Sequence, residues 1–148
     1  MIQGQKECMF GTILIVDDSA LIRHAFRSCV EQSGDWQVCG EAENGKLAVE
    51  KVKELHPDVV ILDLQMPVMD GLEAARQIKF LAPNTTMLMV TMHGSEQLQD
   101  LGPAVGIREV LSKSDRVAEH LLASLKRLHV EREDHLSLRT SAAENAYP

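Results

Sequence analysis

A chain of 148 residues, 45% hydrophobic and 25% charged, has the length and composition of one soluble globular domain with its own core. Its net charge of −7, with Lys and Arg scattered along the chain, argues against direct nucleic-acid binding, which needs a clustered basic surface. No apolar run approaches the roughly 20 residues of a membrane span, the first residues lack a secretory pattern, and Cys8, Cys29 and Cys39 are too few and too irregular for a disulfide or zinc framework. These features predict a reduced, cytoplasmic setting without membrane insertion.

Residues 1–10 read as an N-terminal extension. "TILIVD" (12–17) is a continuous apolar run ending in an acid and reads as a first strand. Ser19 is a candidate N-cap for a helix over 20–33 that puts Ile22, Phe26, Cys29 and Val30 on one face. Gly34-Asp35 breaks that helix. "WQVCGEA" (36–42) alternates weakly, as an edge strand does, with Trp36 packing at its start. Asn44-Gly45 opens a second helix that ends near His56 before Pro57, with Leu47, Val49, Val52 and Leu55 as its apolar set.

Residues 58–63 form the clearest strand, and Pro67 and Gly71 mark the loop after it. A third helix is expected from 71 to 82 and a fourth strand over 85–91. A fourth helix should begin after Ser95 and be cut short by Gly102-Pro103, since proline in a helix interior costs about 3 kcal/mol or more. A fifth strand over 107–111 precedes a last helix, capped by Ser114 or Asp115, with Val117, Leu121, Leu125 and Leu128 inward. Strands alternating with helices predict an α/β fold, a doubly wound (βα)5 chain around a five-stranded parallel sheet. Residues 130–148 are polar and lack sustained periodicity, so they read as a tail that is either disordered or extends the last helix for a turn or two and then frays.

The chemistry concentrates at the strand ends. Ligands of open parallel sheets gather beyond the carboxyl ends of the strands, and there the sequence delivers Asp17 and Asp18, Asp63, Thr91 and Lys113. Three carboxylates without a neighbouring His or Cys suit Mg2+ better than zinc. Asp63, alone at the end of the central run, is the candidate nucleophile for covalent phosphorylation. Mg2+ and Lys113 would neutralise charge in phosphoryl transfer, and the Thr91 hydroxyl would donate to a phosphoryl oxygen. Taken singly, each of these residues reads as a helix cap, a strand end or a surface lysine; their joint placement carries the reading. His24, His56, His120, His129 and His135 have no ligand spacing and read as solvated, while His93 and Gln65 read first as exposed loop residues and second as flanking the expected path of an attacking water.

The acidic pair, "ILDLQMPVMDG", the threonine after the fourth strand and "LSKSD" resemble, in order and spacing, the receiver (CheY-like) domain of a two-component response regulator. The resemblance covers roughly residues 11–129. It implies the flavodoxin-like strand order 2-1-3-4-5, phosphorylation of Asp63 from the phosphohistidine of a sensor histidine kinase or phosphotransfer protein, and Mg2+ held by Asp18, Asp63 and the Gln65 carbonyl, with Asp17 acting through water. It also implies that Lys113 pairs with the phosphoryl group. Thr91 would couple that group to the face of helix four, strand five and helix five, where a downstream protein reads it. Such a module would be a monomer or a phosphorylation-dependent dimer, and would turn over no outside substrate.

Three departures are visible. Val110 stands where the family usually has an aromatic switch residue, Gly102-Pro103 interrupts helix four, and Ser114 replaces the commoner proline after the lysine. They motivate an alternative, a degenerate receiver that binds partners without a phosphorylation cycle. An aspartyl-phosphate phosphohydrolase is disfavoured because position 65 is Gln rather than a second acid. A flavin carrier is disfavoured because the acidic edge would repel the cofactor phosphate.

Overall fold

The computed structural model describes residues 11–92 and 96–145, with side chains described for all of these except 96–97 and 139–145. The readings that fall on residues 1–10, Cys8, His93 and Ser95 lie outside that range. Five strands alternate with five helices: β1 Gly11–Val16, α1 Ala20–Ser33, β2 Trp36–Ala42, α2 Gly45–Leu55, β3 Val59–Asp63, α3 Gly71–Leu81, β4 Thr86–Thr91, α4 Glu96–Ala104, β5 Ile107–Ser112 and α5 Val117–Asn145. The strands form one sheet in the order β2-β1-β3-β4-β5. Every neighbouring pair is parallel. The expected class and strand order are both observed, and β2 is an edge strand.

Two apolar layers follow from the strand period of two. Ile13 and Ile15 face α1 and α5 in a cluster with Phe26, Cys29, Val30, Leu121 and Leu125. Leu14 and Val16 face α2, α3 and α4 in a cluster with Ala48, Val52, Ala74, Ala75, Ile78 and Leu98. The Trp36 ring closes one end of the first layer, and its Nε1–H donates to the Leu125 carbonyl at 3.0 Å. The expected Ser19 cap is present, and Asn44 and Asp70 cap the next two helices in the same way. Ser19 Oγ accepts from Ile22 N at 3.3 Å, Asn44 Oδ1 from Leu47 N at 2.9 Å, and Asp70 Oδ1 from Glu73 N at 2.9 Å.

Two expectations are corrected. Helix α4 is not cut at Gly102-Pro103: it runs through both to Ala104. The proline sits in the last turn, where Val105 N still reaches the Gly102 carbonyl at 3.1 Å, so only one bond is forgone. Helix α5 does not fray after a turn or two but continues to Asn145. Residues 130–145 contain neither Gly nor Pro, and ion pairs from Arg108 to Glu131 and from Arg127 to Glu109 tie the helix back to β5.

Glycine at 71 answers a close approach. A Cβ there would lie 2.2 Å from the Asp63 carbonyl oxygen, and the Gly71 N–H donates to the Leu64 carbonyl at 2.7 Å. The start of α3 thereby clamps the end of β3. Gly71→Ala is expected to lower stability by about 1–3 kcal/mol, the usual range for overpacking a site that cannot yield. Thermal unfolding checks this, and an unchanged Tm would contradict the clamp.

Candidate functional site

Because all five strands are parallel, their carboxyl ends meet at one edge, with neighbours about 4.8 Å apart. Asp17 follows β1, Asp63 ends β3, Thr91 ends β4 and Lys113 follows β5. β1 and β3 are adjacent, so their acids are forced together. Carboxylate oxygens of Asp17, Asp18 and Asp63 lie within 4.8 Å of one another. Asp17 is 1% exposed and Asp63 6%, with Thr91 also buried, whereas Asp18 is open to solvent.

Lys113 reaches both buried acids, though unequally. Its Nζ is 2.6 Å from Asp17 Oδ2 and 3.3 Å from Asp63 Oδ1. Burial acts to lower the ammonium pKa, but the hydrogen bond to Asp17 and the charges of both acids outweigh it, so the net shift is upward. Burial pushes the Asp63 carboxyl above the ordinary carboxylate range, the Asp17 charge adds to this, and Lys113 offsets only part. Of the two buried acids, Asp63 is the one with the longer contact to the ammonium.

Further bonds hold this arrangement. Asp17 Oδ1 accepts from Ser19 N at 2.9 Å, and the Asp17 carbonyl accepts from Arg23 Nη1 at 2.6 Å. Arg23 and Arg27 both pair with Glu41 of β2, at 3.0 and 2.8 Å. This triad was not anticipated in the sequence, although Arg23 and Arg27 stand four apart on one face of α1. On the other side, the Lys113 N–H donates to the Thr91 carbonyl at 2.8 Å, so the lysine is carried on the β4–β5 pairing.

The loop after β3 has its own constraint. Val68 has φ 71, and Met69 N donates to the Pro67 carbonyl at 2.8 Å, a γ-turn that is strained for a β-branched residue. Gln65 lies exposed in the same loop. Val110 is half-buried and packs against the α2–α4 layer. His129 is not simply solvated: its Nε2 lies 3.6 Å from Asp35 and 3.4 Å from Glu133. Met87 and Met89 are core, while Met92 is exposed.

The cluster fits a hard divalent cation. It offers carboxylate oxygens alone, with no sulfur or imidazole, and an open side at Asp18 where water and other oxygen ligands could complete a coordination shell. Among the described residues, no helix is long and apolar enough to cross a membrane.

Comparisons with known proteins agree with this layout. Residues 13–126 match the family model of the response regulator receiver domain. The chemotaxis protein CheY of Thermotoga maritima is 36% identical over 112 residues, covering 74% of this chain and 92% of that protein. A protein-glutamate methylesterase/protein-glutamine glutaminase of Methanosarcina acetivorans is 53% identical over 79 residues, which are 53% of this chain but 23% of that protein. The crystal structure of the response regulator domain of Thermotoga maritima CheB superposes with a TM-score of 0.75 at 29% identity, covering 81% of this chain and 96% of that one.

The charge imbalance sets expectations for stability without divalent cations. A buried acid whose folded pKa is raised opposes folding while ionised, and this cost is relieved as pH falls through the folded value. Asp63→Asn is therefore expected to raise Tm by a few degrees at neutral pH, and the gap to the unmutated protein should close in acid. Lys113→Met should destabilise, toward the low end of the roughly 3–5 kcal/mol for breaking a buried pair, because the cluster opens to solvent at Asp18. Unfolding curves across pH check both, and a destabilised Asp63→Asn at neutral pH would contradict the imbalance.

Proposed function

This chain belongs to the response regulator receiver family, and on that basis we propose that it accepts a phosphoryl group on Asp63 from the phosphohistidine of a sensor histidine kinase or phosphotransfer protein. The observation that carries the proposal is the uneven sharing of Lys113, which leaves Asp63 the buried acid with most to gain from added positive charge. An Asp63 carboxylate oxygen attacks phosphorus. The new O–P bond forms as the P–N bond to the partner's imidazole breaks, and the imidazole nitrogen keeps the electron pair and takes up a proton. Hydrolysis later returns the carboxylate when water attacks the same phosphorus.

Asp18 and Asp63 would hold Mg2+, with the Gln65 carbonyl as a further ligand and Asp17 acting through water. Bound there, Mg2+ neutralises charge on the phosphoryl oxygens. Lys113 is placed to turn from the acids to a phosphoryl oxygen without leaving the pocket. Asp17, held by Ser19 N–H and by Lys113, keeps the ammonium oriented until then. The Thr91 hydroxyl donates to a second phosphoryl oxygen. Its own backbone carbonyl is bonded to the Lys113 N–H, so movement at Thr91 passes directly into β5.

The output is a shift between two conformations of the α4–β5–α5 face, read by a downstream protein that prefers one of them. Val110 on β5 is short and already packed inward, so this face responds by backbone and helix adjustment rather than by an aromatic rotamer. The same residue is the observation behind a second reading, a phosphorylation-independent interaction module. The complete acidic cluster favours the first. The methylesterase relative matches only over its receiver-like portion, and no esterase chemistry is proposed for this chain.

Intact mass after incubation with Mg2+ and a small acyl-phosphate donor tests the reading. A single phosphoryl adduct is expected, dependent on Mg2+ and absent from Asp63→Asn. Thr91→Ala should keep the adduct but lose most of the conformational response, read as amide shifts in α4 and β5. An adduct that survives Asp63→Asn, or no adduct together with no Mg2+ binding, would overturn it.

A further inference from the structure

The polar face of α3 carries one residue that does not belong to it. Helix α3 buries Gly71, Ala74, Ala75 and Ile78, and the opposite row at helical spacing is Glu73, Arg76, Gln77 and Phe80. Phe80 is 87% exposed, the most open of the exposed large apolar side chains, and Leu81 beside it is 44% exposed. Arg76 and Gln77 are drawn back toward the start of the helix, each 3.3 Å from the Glu73 carboxylate. They leave the phenyl ring uncovered.

Phe80, Leu81, Arg76, Gln77 and Lys53 line a hollow of about 330 Å3 on the side of α3 toward α2. That volume holds an apolar side chain or two rather than a large cofactor. Its lining contains two cations and no carboxylate, on a chain of net charge −7, with Arg76 paired to Glu73 outside the lining. Lys53 has no ion-pair partner among the described residues. We propose that this hollow docks an acidic protein segment that inserts one apolar side chain against Phe80 and sets its carboxylates against Lys53 and Arg76. An aromatic anchor ringed by charge is the usual make-up of an energetic centre in a protein interface.

The site is separate from the phosphoryl pocket. Helix α3 begins against the Asp63 carbonyl and ends at Leu81, roughly 15 Å further along its axis at 1.5 Å per residue. A partner here leaves Asp63 open.

The test is an amide NMR titration of the full chain with two short helical peptides of the same leucine pattern, one with glutamate and one with lysine at its polar positions. The glutamate peptide is expected to give saturable shifts in the second half of α2 and in α3, and the lysine peptide none there. Phe80→Ser and the double variant Lys53→Glu/Arg76→Glu should each weaken binding by about tenfold or more. The exposed position of Phe80 lets its variant fold, and its phosphoryl adduct, measured in parallel, should be unchanged. No saturable shift, shifts that map elsewhere, equal binding of both peptides, or full affinity in Phe80→Ser would each overturn the proposal.

Discussion

One ammonium shared between two buried carboxylates organises this protein. Lys113 can reach Asp17 and Asp63 only if β1 and β3 lie side by side and β5 ends level with them. A lysine provides the reach: its four-carbon stem carries a compact charge to both acids. The sharing is unequal, and the inequality has a physical source. Asp17 is fastened by the Ser19 N–H and by its own carbonyl's bond to Arg23, so it meets the ammonium at a fixed place. Asp63 accepts the longer contact, and burial pushes its carboxyl above the ordinary range. A group in that state is primed to gain from any cation or covalent change that relieves it.

The scaffold around the pocket holds the same few atoms in place from several sides. Gly71 lets α3 press onto the Asp63 carbonyl, and Gly45, whose Cβ would come 2.5 Å from the Met69 carbonyl, lets α2 press onto the loop beyond it. The strained turn at Val68 is held between those two helix starts. Strain of this kind, of order 1–3 kcal/mol, persists only where surrounding structure over-determines it. Here that structure is two close helix approaches and a γ-turn hydrogen bond.

Much of this was legible in the sequence because it rests on local rules. Continuous apolar runs marked the buried parallel strands, Ser19 and Asn44 marked helix starts, and reactive residues at run ends marked the edge where chemistry collects. What escaped depends on tertiary context. Ala48, Ala74 and Ala75 are core positions that carry almost no hydrophobic signal. The Arg23–Arg27–Glu41 triad joins a helix to a strand that pairs on the far side of β1. The length of α5 was hidden because residues 130–145 lack an apolar stripe, and their helix rests on propensity and on ties such as Arg108–Glu131. Pro103 looked like a stop and proved tolerable because it falls in a last turn. Phe80 stands out only in the folded chain, where it lies opposite Ala74 and Ile78.

The most direct measurement is a crystal structure of the chain with Mg2+ and beryllium trifluoride, a mimic of a phosphoryl group. The account predicts beryllium bonded to an Asp63 carboxylate oxygen, Lys113 Nζ and the Thr91 hydroxyl within hydrogen-bonding distance of its fluorines, and Mg2+ between Asp18 and Asp63. Lys113 would have left its 2.6 Å contact with Asp17. An unmodified Asp63 at saturating reagent, with Lys113 still on Asp17, would contradict it.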